Sequence, residues 1–262
     1  MSPEPLDVSI VVPAFGEAGN LRPLTERTFA ALERAGLRGE LIIVDDNSRD
    51  GSVEIVEALR GEYPVRIIVR TQERGLSSAV LRGFAEAAGD RFVVMDADLQ
   101  HPPEKVPDLL ERLGRDGCDF VIGTRYAGEG AIGEDWPWHR RIVSKVASMM
   151  ALPLSPLSDP MSGFIAIRRE TWEQARDLDP IGYKIGLELY VKGGCRSHGE
   201  VPIQFAARSA GESKLTGKVL IHYVKHLLKL YRYRFPVRFV GCIVGAVGLL
   251  CAVVYWLIRR AG

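Results

Sequence analysis

From Val8 to about Gly123 the chain repeats one unit, a short apolar run rich in β-branched residues followed by a segment with apolar residues at helical spacing. VSIVV precedes NLRPLTERTFAALERAG, ELIIV precedes GSVEIVEALRG, VRIIV precedes LSSAVLRGFAEAAG, RFVVM precedes PEKVPDLLERLG, and a fifth run, DFVIG, closes the series. Near-continuous apolar strands between amphipathic helices need helices over both faces, which predicts a parallel, doubly wound α/β sheet. Such sheets bind ligands at the carboxyl ends of their strands. Two acidic pairs fall there: Asp45-Asp46 after ELIIV, and Asp96 with Asp98 after RFVVM.

Past the repeat the pattern loosens. Residues 124–138 are rich in glycine and acidic residues and end on Trp136-Pro137, which predicts a long loop. Residues 140–152 read as a helix, GFIAIRR as a strand, and HGEVPIQF as another strand after the segment 185–193. A length of 262 residues suits one large α/β domain with an appendage. The net charge of +1 gives no case for a nucleic-acid partner. Four cysteines without a CxxC pair suggest neither a disulfide framework nor a zinc site. Glu4 and Asp7 stand where a signal peptide would be basic, so the first apolar run reads as a core strand and the bulk of the protein as cytoplasmic.

The appendage lies at the C-terminus. KVLIHYVKHLLKLYRYR, residues 218–234, interleaves apolar residues with His and Lys, as in a basic amphipathic helix lying on a membrane. Residues 239–258 follow as twenty positions without a charge. At about 1.5 Å per residue such a helix covers the roughly 30 Å hydrocarbon core, so a single span is expected. Arg232, Arg234 and Arg238 flank it on one side and Arg259 and Arg260 on the other, with the larger basic load on the catalytic side. His222 and His226 have i, i+4 spacing but lack the Glu of HExxH, and on this helix they read as headgroup contacts rather than zinc ligands.

The acidic pairs carry the chemistry. Asp96 and Asp98 are two apart on an extended stretch and therefore project to one side, and their hard oxygens suit Mg²⁺ or Mn²⁺ bridging a diphosphate, with Gln100 adding a carbonyl oxygen. Asp46 is placed to hydrogen-bond a base or ribose, while Ser48 or Asp50 suits the cap of the next helix. Gly128, Gly130 and Gly133 match GxGxxG, but EDWPW follows them instead of a helix, so a dinucleotide site is not expected there.

VVPAFGEAGNL, VDDNSRDGS, RTQERGLSSAVLRGF, VMDADLQHPPE, GTRY, DPMSGF and AGESKL, in this order, resemble the polyprenol-phosphate and dolichol-phosphate mannose synthases of glycosyltransferase family 2. The resemblance runs from Val8 to about Leu215. It implies a Rossmann-like GT-A domain over residues 1–215, followed here by an interfacial amphipathic helix over 216–236 and one transmembrane anchor over 237–262. It implies further a divalent metal and transfer of mannose from GDP-mannose to a membrane-borne polyprenyl or dolichyl phosphate, with inversion at the anomeric carbon. Position by position, Pro13, Phe15, Glu17, Val44 and Asp46 would hold the nucleoside, Phe15 standing where the family usually has Tyr. Asp96, Ala97 and Asp98 would flank the diphosphate, with Asp98, Gln100 and Asp96 as metal ligands. Arg125, Arg140, Arg208 and Lys214 would surround the donor and acceptor phosphates, with Asp98, Arg125 and Arg140 carrying catalysis.

Such a reaction needs no base, because a phosphate oxygen is already ionised near neutral pH. The protein has to bring two anions together, and metal and arginines supply the opposing charge. A UDP-glucose-dependent transfer to the same acceptor is the alternative within this fold. A non-catalytic membrane adaptor would be expected to lack the DxD or the basic set, and both are present.

Overall fold

The computed structural model describes residues 6–115, 117–126, 138–179, 184–204 and 217–237; for 138–144 and 217–220 it describes the backbone alone. In chain order the elements are β1 (Val8–Ala14), α1 (Ala18–Arg34), β2 (Gly39–Asp45), α2 (Ser52–Leu59), β3 (Val65–Val69), α3 (Leu76–Glu86) and β4 (Arg91–Val94). A 3₁₀ turn, Pro103–Lys105, leads into α4 (Val106–Gly114), then β5 (Phe120–Thr124), α5 (Trp138–Ala151), β6 (Ile165–Arg168), α6 (Arg169–Gln174), α7 (Ile185–Lys192), β7 (His198–Pro202) and α8 (Gly217–Arg234). Each strand-helix unit expected from the repeat is present.

The strands form a seven-membered sheet in the order β3-β2-β1-β4-β6-β5-β7. Alternation along the strands feeds two cores. Ile10, Val12 and Ile43 pack with Leu21, Leu24 and Leu32 of α1, Leu59 of α2 and Leu109 of α4. On the other face Val11, Ile42 and Val44 pack with Phe84 of α3, Ala151 of α5, Leu187 of α7 and Leu227 of α8. Complete burial of each such side chain is worth about 1.5–3 kcal/mol, which is why both faces stay covered.

The sheet is mixed rather than wholly parallel as expected. β2, β1 and β4 run parallel, but β6 lies antiparallel between β4 and β5, pairing Phe92 with Ile167 and Phe120 with Ile167. An apolar run buried on both faces carries no sign of its direction. Here α5 and the segment after it return the chain to the edge where β5 ended, so β6 has to run back.

The packing of α8 also differs from the reading as a purely interfacial helix. Tyr223, His226, Leu227 and Leu230 are buried against the domain, so His226 faces protein and not headgroups, whereas His222 is exposed. His226 Nε2 approaches Glu188 Oε2 of α7 at 3.3 Å. Tyr223 and Tyr231 donate to the carbonyls of Ala147 and Met150, each at 2.7 Å, fixing α8 beside α5. Among the described residues no helix is long and apolar enough to cross a membrane; the expected span, 239–258, lies outside them.

Candidate active site at the carboxyl edge of the sheet

The strand directions gather the chemistry on one edge. β1, β2 and β4 end there, β5 ends there at Thr124, and β6 starts there after residues 159–164. The order switches between β1 and β4, the place where open α/β sheets leave a crevice.

Past β4 the chain makes a tight acidic turn. The Gln100 N–H donates to Asp98 Oδ1 at 3.2 Å, and Leu99 takes a positive φ of 61° to close the turn. The Asp96 N–H donates to Nδ1 of His101 at 3.0 Å, and the buried His101 ring stacks on Phe164 with centroids 5.1 Å apart. Burial holds the imidazole below its ordinary pKa although the Asp96 and Asp98 charges pull it up, and a neutral ring is what this acceptor role needs. Gly163 lies against the turn: a Cβ there would stand in van der Waals contact with it, 3.5 Å from Asp96 Oδ1 and 3.5 Å from His101 Cε1. Carboxylate and amide oxygens are the donor type that suits a hard divalent cation. Among the described residues there is no group of three or more His, Cys, Asp or Glu able to hold a metal, so a metal bound by Asp96, Asp98 and Gln100 would need further ligands from water or phosphate.

Across from it Arg125 is clamped by a carboxylate that is 0% exposed: Nε and Nη2 donate to Asp159 Oδ2 and Oδ1 at 2.7 and 2.9 Å. Burial works against the guanidinium charge, but the Asp159 hydrogen bonds outweigh it and leave the pKa raised. The two-pronged geometry fixes the guanidinium plane as a single bond would not.

At the β2 end Asp46 is already engaged. Arg70 donates to its Oδ1 through Nε at 2.7 Å and also through Nη2, and the Gly75 N–H donates to Oδ2 at 2.7 Å. Arg70 further donates to Ser78 Oγ at 2.8 Å and the Gly75 carbonyl at 2.9 Å. Gly75 sits at φ 126°, a conformation that side chains rarely adopt, so the loop before α3 wraps this ion pair. Asp45 accepts the Ser48 N–H at 2.8 Å, and Ser48 Oγ accepts the Gly16 N–H at 2.9 Å. Asp50 rather than Ser48 serves the helix starts, accepting from Ala18 N and Ser52 N at 3.1 Å each.

Residues 9–174 match the model of glycosyl transferase family 2. The chain belongs to this family. A dolichol-phosphate mannosyltransferase of Mycosarcoma maydis is 54% identical over 243 residues, covering 88% of this chain and 82% of that protein. One of Saccharomyces cerevisiae is 48% identical over 262 residues, covering 97% and 94%. A crystal structure of Mycobacterium tuberculosis glucosyl-3-phosphoglycerate synthase, in complex with Mn²⁺, UDP and glucosyl-3-phosphoglycerate, superposes with a TM-score of 0.59 at 20% identity, covering 87% of this chain and 80% of that one. The protein is therefore a family 2 glycosyltransferase with a GT-A fold.

Within this family 2 domain the expected site residues divide. Asp96, Ala97, Asp98, Gln100 and Arg125 come to one edge, with Phe15 beside them at the end of β1, 49% exposed and under the Arg74 guanidinium at 5.4 Å. Pro13 pairs in register with Val44, whose side chain is wholly buried in the sheet's apolar layer, and Glu17 accepts from Asn20 Nδ2 at 2.7 Å. Arg140 lies on α5 with only its backbone described, and Arg208 and Lys214 lie outside the described residues, as do residues 127–137 of the loop expected over 124–138, with their GxGxxG. Sequence reading passed over Arg70, His101 and Asp159, although each sits inside a motif it singled out: RTQERG, DLQHPPE and DPMSGF.

Proposed function

We propose that the protein transfers mannose from GDP-mannose to a polyprenyl, dolichyl-type phosphate with inversion, releasing GDP, with Mg²⁺ or Mn²⁺ as cofactor. The names of the two fungal relatives support the acceptor and the sugar. The observation that carries the reading is the meeting of oxygen ligands and a clamped guanidinium at one sheet edge, since joining two anions needs positive charge on both sides of the reacting carbon.

An ion held by Asp98 and Gln100, with Asp96, would neutralise charge on the departing diphosphate. The protein's own groups do the rest. His101 fixes the Asp96 backbone, Asp159 holds Arg125 in one plane, and the Arg70–Asp46 pair shapes the nucleoside end beside Phe15. Asp159 is committed to Arg125, consistent with an acceptor oxygen that arrives ionised and needs no base. Attack opposite the leaving diphosphate then turns an α-linked donor into a β-linked product.

A lipid acceptor needs the domain at a membrane surface. Val146, Met149, Met150 and Leu152 at the end of α5, and Ile221 and Leu228 on α8, expose apolar side chains beside Lys225, Lys229 and Arg232. This composition supports lipid contact, which the single expected span, 239–258, would make permanent and which leaves the catalytic domain on the cytoplasmic side.

The purified full chain should be offered GDP-mannose or UDP-glucose with a polyprenyl phosphate, with Mn²⁺ or with EDTA. Mannose should move only from GDP-mannose and only with metal. Transfer from UDP-glucose instead would reassign the donor, and failure of both donors with metal present would overturn the reading.

A further inference from the structure

Another cation approaches the same edge from the far side of the chain. Lys184 immediately precedes α7, and its Nζ donates to the Met161 carbonyl at 2.8 Å. Met161 stands in the chain between Asp159, which clamps Arg125, and Gly163, whose Cα lies near the Asp96 carboxylate, so this hydrogen bond holds the ammonium against the segment that borders the site. The residue is half-buried. Burial, with the Arg125 charge added, pushes the ammonium down to about 8, against the pull of Asp159 and Asp96.

A charge in that position is costly if its only task is to tie down a carbonyl, because a neutral donor satisfies a carbonyl without desolvating a cation. An ammonium carries three N–H donors, of which Met161 takes one. Arg125 is turned toward Asp159 by both of the N–H groups that form its clamp, whereas a lysine is a point charge on a flexible stem that adapts to an incoming anion.

We propose that Lys184 is a phosphate-binding residue of this site, giving an N–H to a phosphoryl oxygen of a bound reactant while it keeps its hold on Met161. The assignment rests on the transfer reading above, in which both reactants bring phosphate to this edge: the diphosphate of the donor and the phosphate of the lipid. An arriving anion compensates the desolvated ammonium and secures its proton.

The test is direct binding to the full chain in detergent, with two probes: GDP with Mn²⁺, and a short-chain polyprenyl phosphate. Lys184→Met removes charge and donor; Lys184→Gln removes the charge and retains an N–H for Met161. Both variants should weaken one probe by about tenfold to a hundredfold, the range of a lost charge-assisted hydrogen bond. The probe that weakens identifies which phosphate the lysine holds. Gln binding both probes like wild type, or Met doing so, would reduce Lys184 to a tether for its loop and overturn the proposal; thermal melting of each variant separates weak binding from poor folding. A wild-type chain that binds both probes yet transfers no mannose would sink the reaction and leave the lysine's role standing.

Discussion

Asp46 and Arg70 lie 24 positions apart in the chain and are only 8% and 7% exposed in the fold. Each is the other's main compensation, and the two hold Gly75, at the end of the loop, and Ser78, in the first turn of α3. Arg70→Met keeps most of the apolar stem but leaves a buried carboxylate with only the Gly75 N–H, a change of the kind that costs about 3–5 kcal/mol. Denaturant unfolding should show that loss, and binding of GDP should weaken with it, because the loop frames the end of the site next to Phe15. A variant as stable as wild type would mean that the pair contributes nothing to this frame. Asp98 differs from Asp46 in its contacts: the Asp46 carboxylate is paired with the Arg70 guanidinium, whereas Asp98 Oδ1 takes the Gln100 N–H within the acidic turn.

At the scale of elements, α7 and α8 are joined by a buried carboxylate. Glu188 Oε1 accepts from Lys192 Nζ at 2.6 Å and from the Asp179 N–H at 2.9 Å, and Oε2 faces His226. Burial alone would raise the Glu188 pKa, but His226, Lys192 and the Asp179 N–H together lower it to about 2 from 4.5. A carboxyl depressed on folding contributes stability that is fully present above its unfolded value and is lost as pH falls through the folded one. Thermal midpoints should therefore drop between pH 4.5 and about 2 more steeply in wild type than in Glu188→Gln, and parallel curves would remove this contact from the docking of α8. The end of α5, against which α8 is also fixed, looks outward. Met149 and Leu152 are each 63% exposed on or just past α5, and changing both to Glu should lower partitioning onto anionic vesicles several-fold without moving the melting temperature. Unchanged partitioning would place the lipid-facing surface elsewhere.

Across the whole molecule, what the sequence announces is what local pattern controls. The apolar runs and helical periods marked each strand-helix unit, and a DAD following RFVVM marked acidic residues past the end of β4, although on an extended stretch rather than the turn that the structure shows, because both signals depend on neighbours in the chain. The reversed β6 was invisible, since Ile165, Ala166 and Ile167 would fill a buried strand equally well in either direction. Arg70, Asp159 and Lys184 were missed for a related reason: their roles arise from Asp46, Arg125 and Met161, at separations of 24, 34 and 23 positions that only the fold closes. All of them converge on the edge where Asp96, Asp98 and Gln100 stand, and the account depends on a cation binding there. Crystals of the full chain grown with GDP and Mn²⁺ should show the anomalous manganese peak against Asp98 and Gln100, with the diphosphate on its open side, and no such peak in Asp98→Asn. A manganese ion bound away from residues 96–100, or one undisturbed by that substitution, would contradict the account.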